Sequence, residues 1–100
     1  MLLNERDSRR ERLLQVADAM ATASRTAPKG KGFDLIEILI VTDENITELS
    51  AEMVKYSEKS GLKFFLRDAE NLQHAEAVIL IGTKSQTHGL NCGYCGFATC

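Results

Sequence analysis

Three cysteines fall in the last nine of the chain's 100 residues: Cys92, Cys95 and Cys100, spaced C-x2-C-x4-C. Thiolates bind soft and borderline metals, and two of them separated by two residues can converge on one centre. An odd, clustered set points away from a disulfide framework and toward metal or redox chemistry in a reducing, cytoplasmic compartment. Cys92 and Cys95 are each followed by glycine, Gly93 and Gly96. Glycine lets the backbone approach a bulky centre and aim N–H groups at its sulfurs. The spacing is neither the bacterial C-x2-C-x2-C run nor the plant-type C-x4-C-x2-C run of iron–sulfur proteins. Zinc is a second reading: His88-x3-Cys92-x2-Cys95-x4-Cys100 supplies a local Cys3His set. A third leaves the thiols reduced and metal-free, with His88 an ordinary loop histidine, since an incomplete site binds poorly and metal binding is what would order such a loop. Thiol–disulfide exchange fits less well, because redox C-x-x-C motifs open a helix near the start of a thioredoxin-like fold.

The pattern C-G-x-C-G-x-x-x-C resembles the opening of the four-cysteine [4Fe–4S] domain of the electron-transport complex B subunit and the corrinoid iron–sulfur protein. That resemblance covers Cys92, Gly93, Cys95, Gly96 and Cys100, and implies a fourth cysteine further on. Across the whole chain, the stretches SRTAPKGKGFD, LRDAENL, ILIGT and GLNCGYCGFATC are similar to the uncharacterised prokaryotic "ferredoxin domain-containing" family. Its members are longer, so the likeness implies that this sequence is the N-terminal part of a cluster-binding protein. A fainter likeness, in the order helix, Ala27-Pro28 loop, strand, is to nitroreductase-type flavoproteins, and it implies FMN. The Ser/Asn-rich loop and Gln-Pro-Trp usual in those proteins are absent here.

The remaining candidate for ligand binding is Lys29-Gly30-Lys31-Gly32. Its backbone N–H groups and two cations could meet a phosphate, as of a flavin. It lacks the G-x-x-x-x-G-K-[ST] pattern of a Walker loop, and a turn between helix and strand is the plainer reading. No catalytic residue is assigned, and whether the protein is an enzyme stays open. Glu37, in mid-strand, reads as an exposed or edge-facing position. His74 has no evident partner. Tyr94 and Phe97 are expected to shield a metal centre from water.

The elements that must position these groups follow from periodicity. Asn4–Ala23 reads as a helix with an apolar stripe at Leu13, Val16, Ala17, Met20 and Ala21, ended before Pro28. Leu35–Val41 is β-branched without clean alternation and reads as a strand covered on both faces. Ile46–Ser60 is a second helix, with Ile46, Leu49, Met53 and Tyr56 inward and Gly61 as its stop. Leu62–Leu66 reads as a second strand, Asp68–Leu72 as a helical turn, and Ala77–Ile81 as a third strand. This order predicts an α/β fold, with a small three-stranded, mostly parallel sheet and packed helices. The α/β domain covers residues 1–82. Residues 83–100 form a Gly/Cys-rich ligand segment that needs a metal to organise it.

Composition bounds the rest. Apolar residues make up 44% and charged residues 26% of the chain, with net charge −2, which describes one globular domain. Residues 1–31 carry +3 and residues 32–100 carry −5, too little to argue for nucleic acid. No apolar run approaches the roughly 20 residues of a membrane span. The expected function is an iron–sulfur redox module that transfers electrons through a [4Fe–4S] cluster on Cys92, Cys95 and Cys100. It would work with a redox partner protein, and as a homodimer if its sheet edges and core surface are exposed.

Overall fold

A computed structural model describes all residues, Met1–Cys100. A short 3-10 turn (Glu5–Asp7) leads into α1 (Arg9–Thr26); a second 3-10 turn (Gly30–Gly32) precedes β1 (Ile36–Thr42). Then follow α2 (Glu44–Ser60), α3 (Phe64–Leu72) and β2 (Ala77–Thr83). Residues 84–100 form no helix or strand.

The sheet corrects the sequence expectation. It has two strands, not three, and they are antiparallel, with Ile36 opposite Thr83 and Thr42 opposite Ala77. The error lies at Leu62–Leu66, which is not a strand: Phe64–Leu72 is helical. The apolar set Leu62, Phe65, Ala69, Leu72 is spaced 3, 4, 3, a helical stripe hidden behind a local Phe-Phe-Leu run. The direction of β2 follows. One helix between two strands returns the chain to the end where the first strand began, giving parallel pairing. Two successive helical passes deliver it to the other end, so β2 runs against β1.

Small residues hold α2 and α3 together. Ile46, Ser50 and Ser57 are buried on α2 and Ala69 on α3. The Ser50 hydroxyl donates to the Ala69 carbonyl at 2.8 Å and accepts from the Gln73 amide at 3.2 Å. Ala69 is among the last four residues of α3, whose carbonyls lack partners further along the helix. The Ser57 hydroxyl donates to the Leu62 carbonyl at 2.9 Å across the turn. Gly61 ends α2 in the left-handed conformation, φ 75°, where a Cβ would cost energy. Tyr56 meets the Phe65 ring edge-on, with centroids 4.9 Å apart.

On the other side of the sheet α1 lies across both strands. Leu13, Val16, Ala17 and Met20 face Ala77 and Ile79 across an apolar cleft of about 330 Å3. Arg10 ties its start to Asp43 (2.6 Å) and Glu76 (3.4 Å) at one end of the sheet. At the other end Arg25 binds Asp34 (2.8 Å) and the Ile36 carbonyl (3.0 Å). The two arginines thus fix the direction of the helix along the sheet.

The body is thin and open. Its radius of gyration is 18.2 Å, against roughly 13 Å for a compact domain of 100 residues. It exposes 8034 Å2, where a compact chain of 11.1 kDa exposes roughly 5,700 Å2. No helix is long and apolar enough to cross a membrane.

Ser50→Ala should leave the Ala69 carbonyl without its hydroxyl partner and destabilise the chain by about 1–2 kcal/mol. Urea unfolding should show a lower midpoint with an unchanged slope. An unchanged midpoint would mean the hydroxyl contributes nothing to the helix pair.

Candidate metal segment and its anchor

Antiparallel pairing decides where the cysteines go. Because β2 ends beside the start of β1, the chain leaves the sheet next to the residues that enter it. The Lys84 amide donates to the Leu35 carbonyl at 2.8 Å, and the Lys84 ammonium lies 3.6 Å from the exposed Glu37 carboxylate. Residues 88–90 then reach the Gly30–Gly32 turn. In the parallel sheet expected from sequence, the last strand would have ended at the opposite edge of the body.

Two sequence features noted separately therefore meet. The Lys31 ammonium donates to the Gly89 carbonyl at 3.1 Å. A Cβ on Gly30 would stand 3.3 Å from Leu90 Cδ1 and 3.6 Å from His88 Cδ2, so the backbone of the turn is the surface on which these side chains rest. His88 Nε2 is buried there without a hydrogen-bond partner.

Both ammonium groups of the turn are engaged. The Lys29 ammonium donates to the carbonyls of Ser24 (2.8 Å) and Arg25, capping the last turn of α1 as a cation should. The Gly32 and Phe33 amides close the turn onto Lys29 and Gly30. Neither lysine of the phosphate idea is free, and no cleft lies at the turn. Beside it, the Arg25 guanidinium that hydrogen-bonds Asp34 holds that carboxyl below its ordinary range, with help from the Ile36 amide.

Beyond Leu90 the chain closes on itself. The Asn91 amide donates to Cys100 Sγ at 3.3 Å, and the Cys100 amide donates to Asn91 Oδ1 at 2.9 Å. Within this ten-residue loop the Gly96 amide donates to the Gly93 carbonyl at 3.0 Å. Gly93 and Gly96 have φ of 76° and 89° with open space beside them. Glycine is thus required there by backbone conformation and not by a close neighbour. All three thiols are free and exposed.

The donor set suits a thiolate-bound metal in type. It has three thiols on one short loop with left-handed glycines after two of them, and one sulfur already accepts a backbone N–H. Its placement is not that of a finished centre: no three His, Cys, Asp or Glu side chains are gathered closely enough to hold an ion. Tyr94 and Phe97 do not shield the thiols, being 96% and 73% exposed. His74 is exposed. The Asn91–Cys100 clasp was missed from sequence, although Asn91 is the type of residue that tolerates a left-handed φ, here 49°.

No family model matches the chain, and no solved structure matches it. It is similar to an uncharacterized protein of Archaeoglobus fulgidus, 46% identical over 101 residues. The alignment takes in all of this chain and 54% of that protein, so the chain spans about half the length of the curated relative it matches.

The Arg25–Asp34 pair yields a titration. A carboxyl whose folded value is depressed supports the fold above its unfolded value near ~4, and that support is lost as pH falls through the lower folded value. The 13C resonance of the Asp34 carboxyl should titrate below the ordinary aspartate value in wild type. In Arg25→Ala it should move back up toward that value; identical midpoints in the two proteins would dismiss the pairing.

Proposed function

We propose that the chain is an iron–sulfur redox module, as in the "ferredoxin domain-containing" proteins that its motifs resemble. Cys92, Cys95 and Cys100 would hold three irons of a [4Fe–4S] cluster. The fourth ligand would come from further sequence, a partner subunit or solvent. The observation that carries this reading is the self-closed loop Asn91–Cys100. It keeps three exposed thiols on one ten-residue ring and sets a backbone N–H on the Cys100 sulfur. When bound, the cluster supplies one-electron transfer. The chain's own residues would ligate it, donate N–H groups to sulfur and set its exposure, which tune its potential. A cytoplasmic setting is supported by the free thiols, and electrons would pass to a partner protein.

The Cys3His zinc reading has less support. His88 rests against Gly30, and its Nε2 is buried. The flavin reading has less still, since both lysines are spent on carbonyls.

Anaerobically prepared protein should contain iron and acid-labile sulfide, and Cys95→Ser should lose both while keeping the helical far-UV spectrum. Full iron and sulfide in Cys95→Ser would sink the proposal. Stoichiometric zinc without sulfide, lost in His88→Ala, would replace it with the structural zinc module. Iron appearing only in a longer chain would place the fourth ligand outside these 100 residues.

We also propose that a second copy covers the cleft of Leu13, Val16, Met20 and Ile79. Leu13, Val16 and Met20 on its wall are 42%, 53% and 54% exposed, an apolar surface of the kind that a symmetric copy would cover. Sedimentation at micromolar concentration should show a dimer, and Met20→Glu should convert it to monomer. A monomeric wild-type chain, or a longer monomeric one with the cleft covered by its own added residues, would refute the dimer.

A further inference from the structure

The sixteen residues after Lys84 have little hold on the body. The Lys31–Gly89 hydrogen bond is the one that joins residues 87–100 to the rest of the chain; the others in that stretch are internal to it. The only residue in it that is not exposed is His88. The hydrogen bonding that holds the thiol segment to the body is therefore at one place, the Gly30–Lys31 turn.

The turn is shaped for that contact. Lys31 adopts φ 56°, ψ 13°, a left-handed conformation that is strained for a residue with a Cβ. Glycine would take this position without strain, and glycine is already the residue on either side. What lysine adds is an ammonium on a long stem, and that ammonium reaches the Gly89 carbonyl. Gly30 contributes by lacking a Cβ. Its φ is not among the positive values, so the backbone admits other residues, and contact with Leu90 and His88 is what restricts it. Two adjacent positions are thus constrained for different reasons by the same three residues, 88–90.

We infer that Gly30 and Lys31 are positioning residues: the turn before β1 is the dock that fixes the cysteine loop to the α/β body, through Lys31 on Gly89 and through His88 and Leu90 seated on Gly30. This rests on the iron–sulfur reading only for what the loop carries. The docking itself is a property of the metal-free chain. His88 Nε2 is buried without a partner in the protein, so the imidazole is drawn out of solvent beside the turn.

The test uses the metal-free 100-residue chain first. In a Tyr94→Ser, Phe97→Ser background, which removes the segment's exposed aromatic sites, chymotrypsin cleavage after Leu90, followed by mass spectrometry, reads the fraction of undocked segment. An NMR cross-peak between Gly30 Hα and the Leu90 methyls reads the contact directly. Lys31→Ala should raise the cleavage rate about fivefold, the effect of losing one hydrogen bond, and Lys31→Arg should restore it. Gly30→Val should abolish the cross-peak and raise cleavage while the far-UV spectrum holds. Lys31→Gly separates docking from general stability. It relieves the left-handed strain and should raise the melting temperature of the body, yet it should still speed cleavage. Parallel changes in melting and cleavage across all four variants would reduce the turn to a structural element. Unchanged cleavage in Lys31→Ala and Gly30→Val would overturn the dock outright.

A second readout applies to chain loaded with iron and sulfide. Lys31→Ala and Gly30→Val should keep the wild-type iron content and shift the paramagnetic signal of the reduced cluster. Iron loading with unchanged cleavage would leave the redox reading standing and remove the dock. Altered cleavage in a chain that takes up no iron would do the reverse.

Discussion

The structure turns on the seam between α2 and α3, where one buried hydroxyl stands between two helix backbones. Ser50 serves the Ala69 carbonyl and receives the Gln73 amide, and only residues as small as serine and alanine let the helices come that close. The seam is what makes Phe64–Leu72 a helix. That extra helical pass sends β2 back alongside β1 in the opposite direction. Antiparallel pairing in turn brings the exit of β2 to the entrance of β1. The cysteine segment meets the Gly30 turn because of a packing decision made some twenty residues upstream.

Much of the fold was legible in the residues. The helical stripe of α1, the stop at Gly61 and the two β-branched strands each carried a local signal strong enough to survive tertiary context. Leu62–Leu66 did not, because a short apolar run reads alike as a buried strand or a turn of helix. The periodicity that settles it extends to Ala69 and Leu72 and has to be counted over ten residues. Ser50 and Ser57 were invisible for another reason. Apolar patterning marks the inward face of a helix by its large residues. At a close helix–helix contact the inward residues are small, so Tyr56, read as inward, is half exposed.

The candidate ligands could be named from composition, and their supports could not. Cysteine spacing names candidate ligands without geometry, since a ten-residue loop with left-handed glycines has many closures. Lys29-Gly30-Lys31-Gly32 reads first as a turn between helix and strand, which it is, and only secondly as a cationic loop for phosphate. Both ammonium groups instead meet carbonyls, one set at the end of α1 and the other at Gly89. A lysine beside a helix C-terminus is attracted by the partial negative charge there, and sequence alone does not show which negative group lies within reach.

A loop held to its body at one turn behaves differently from one embedded in a core. The Asn91–Cys100 clasp keeps the ring closed, but three sulfurs that are not gathered would have to move to converge on the proposed cluster, and binding would have to supply the ordering energy. A single anchor next to that ring serves this need. It restrains the ring's position while leaving its internal torsions, those of Gly93 and Gly96 above all, free to close around a centre. Anchoring at several points would fix the thiols apart; no anchor would leave a bound group wandering relative to the rest of the chain. The Gly30 turn lies between these limits, and its geometry on the Gly89 carbonyl and under Leu90 sets the reach of the loop.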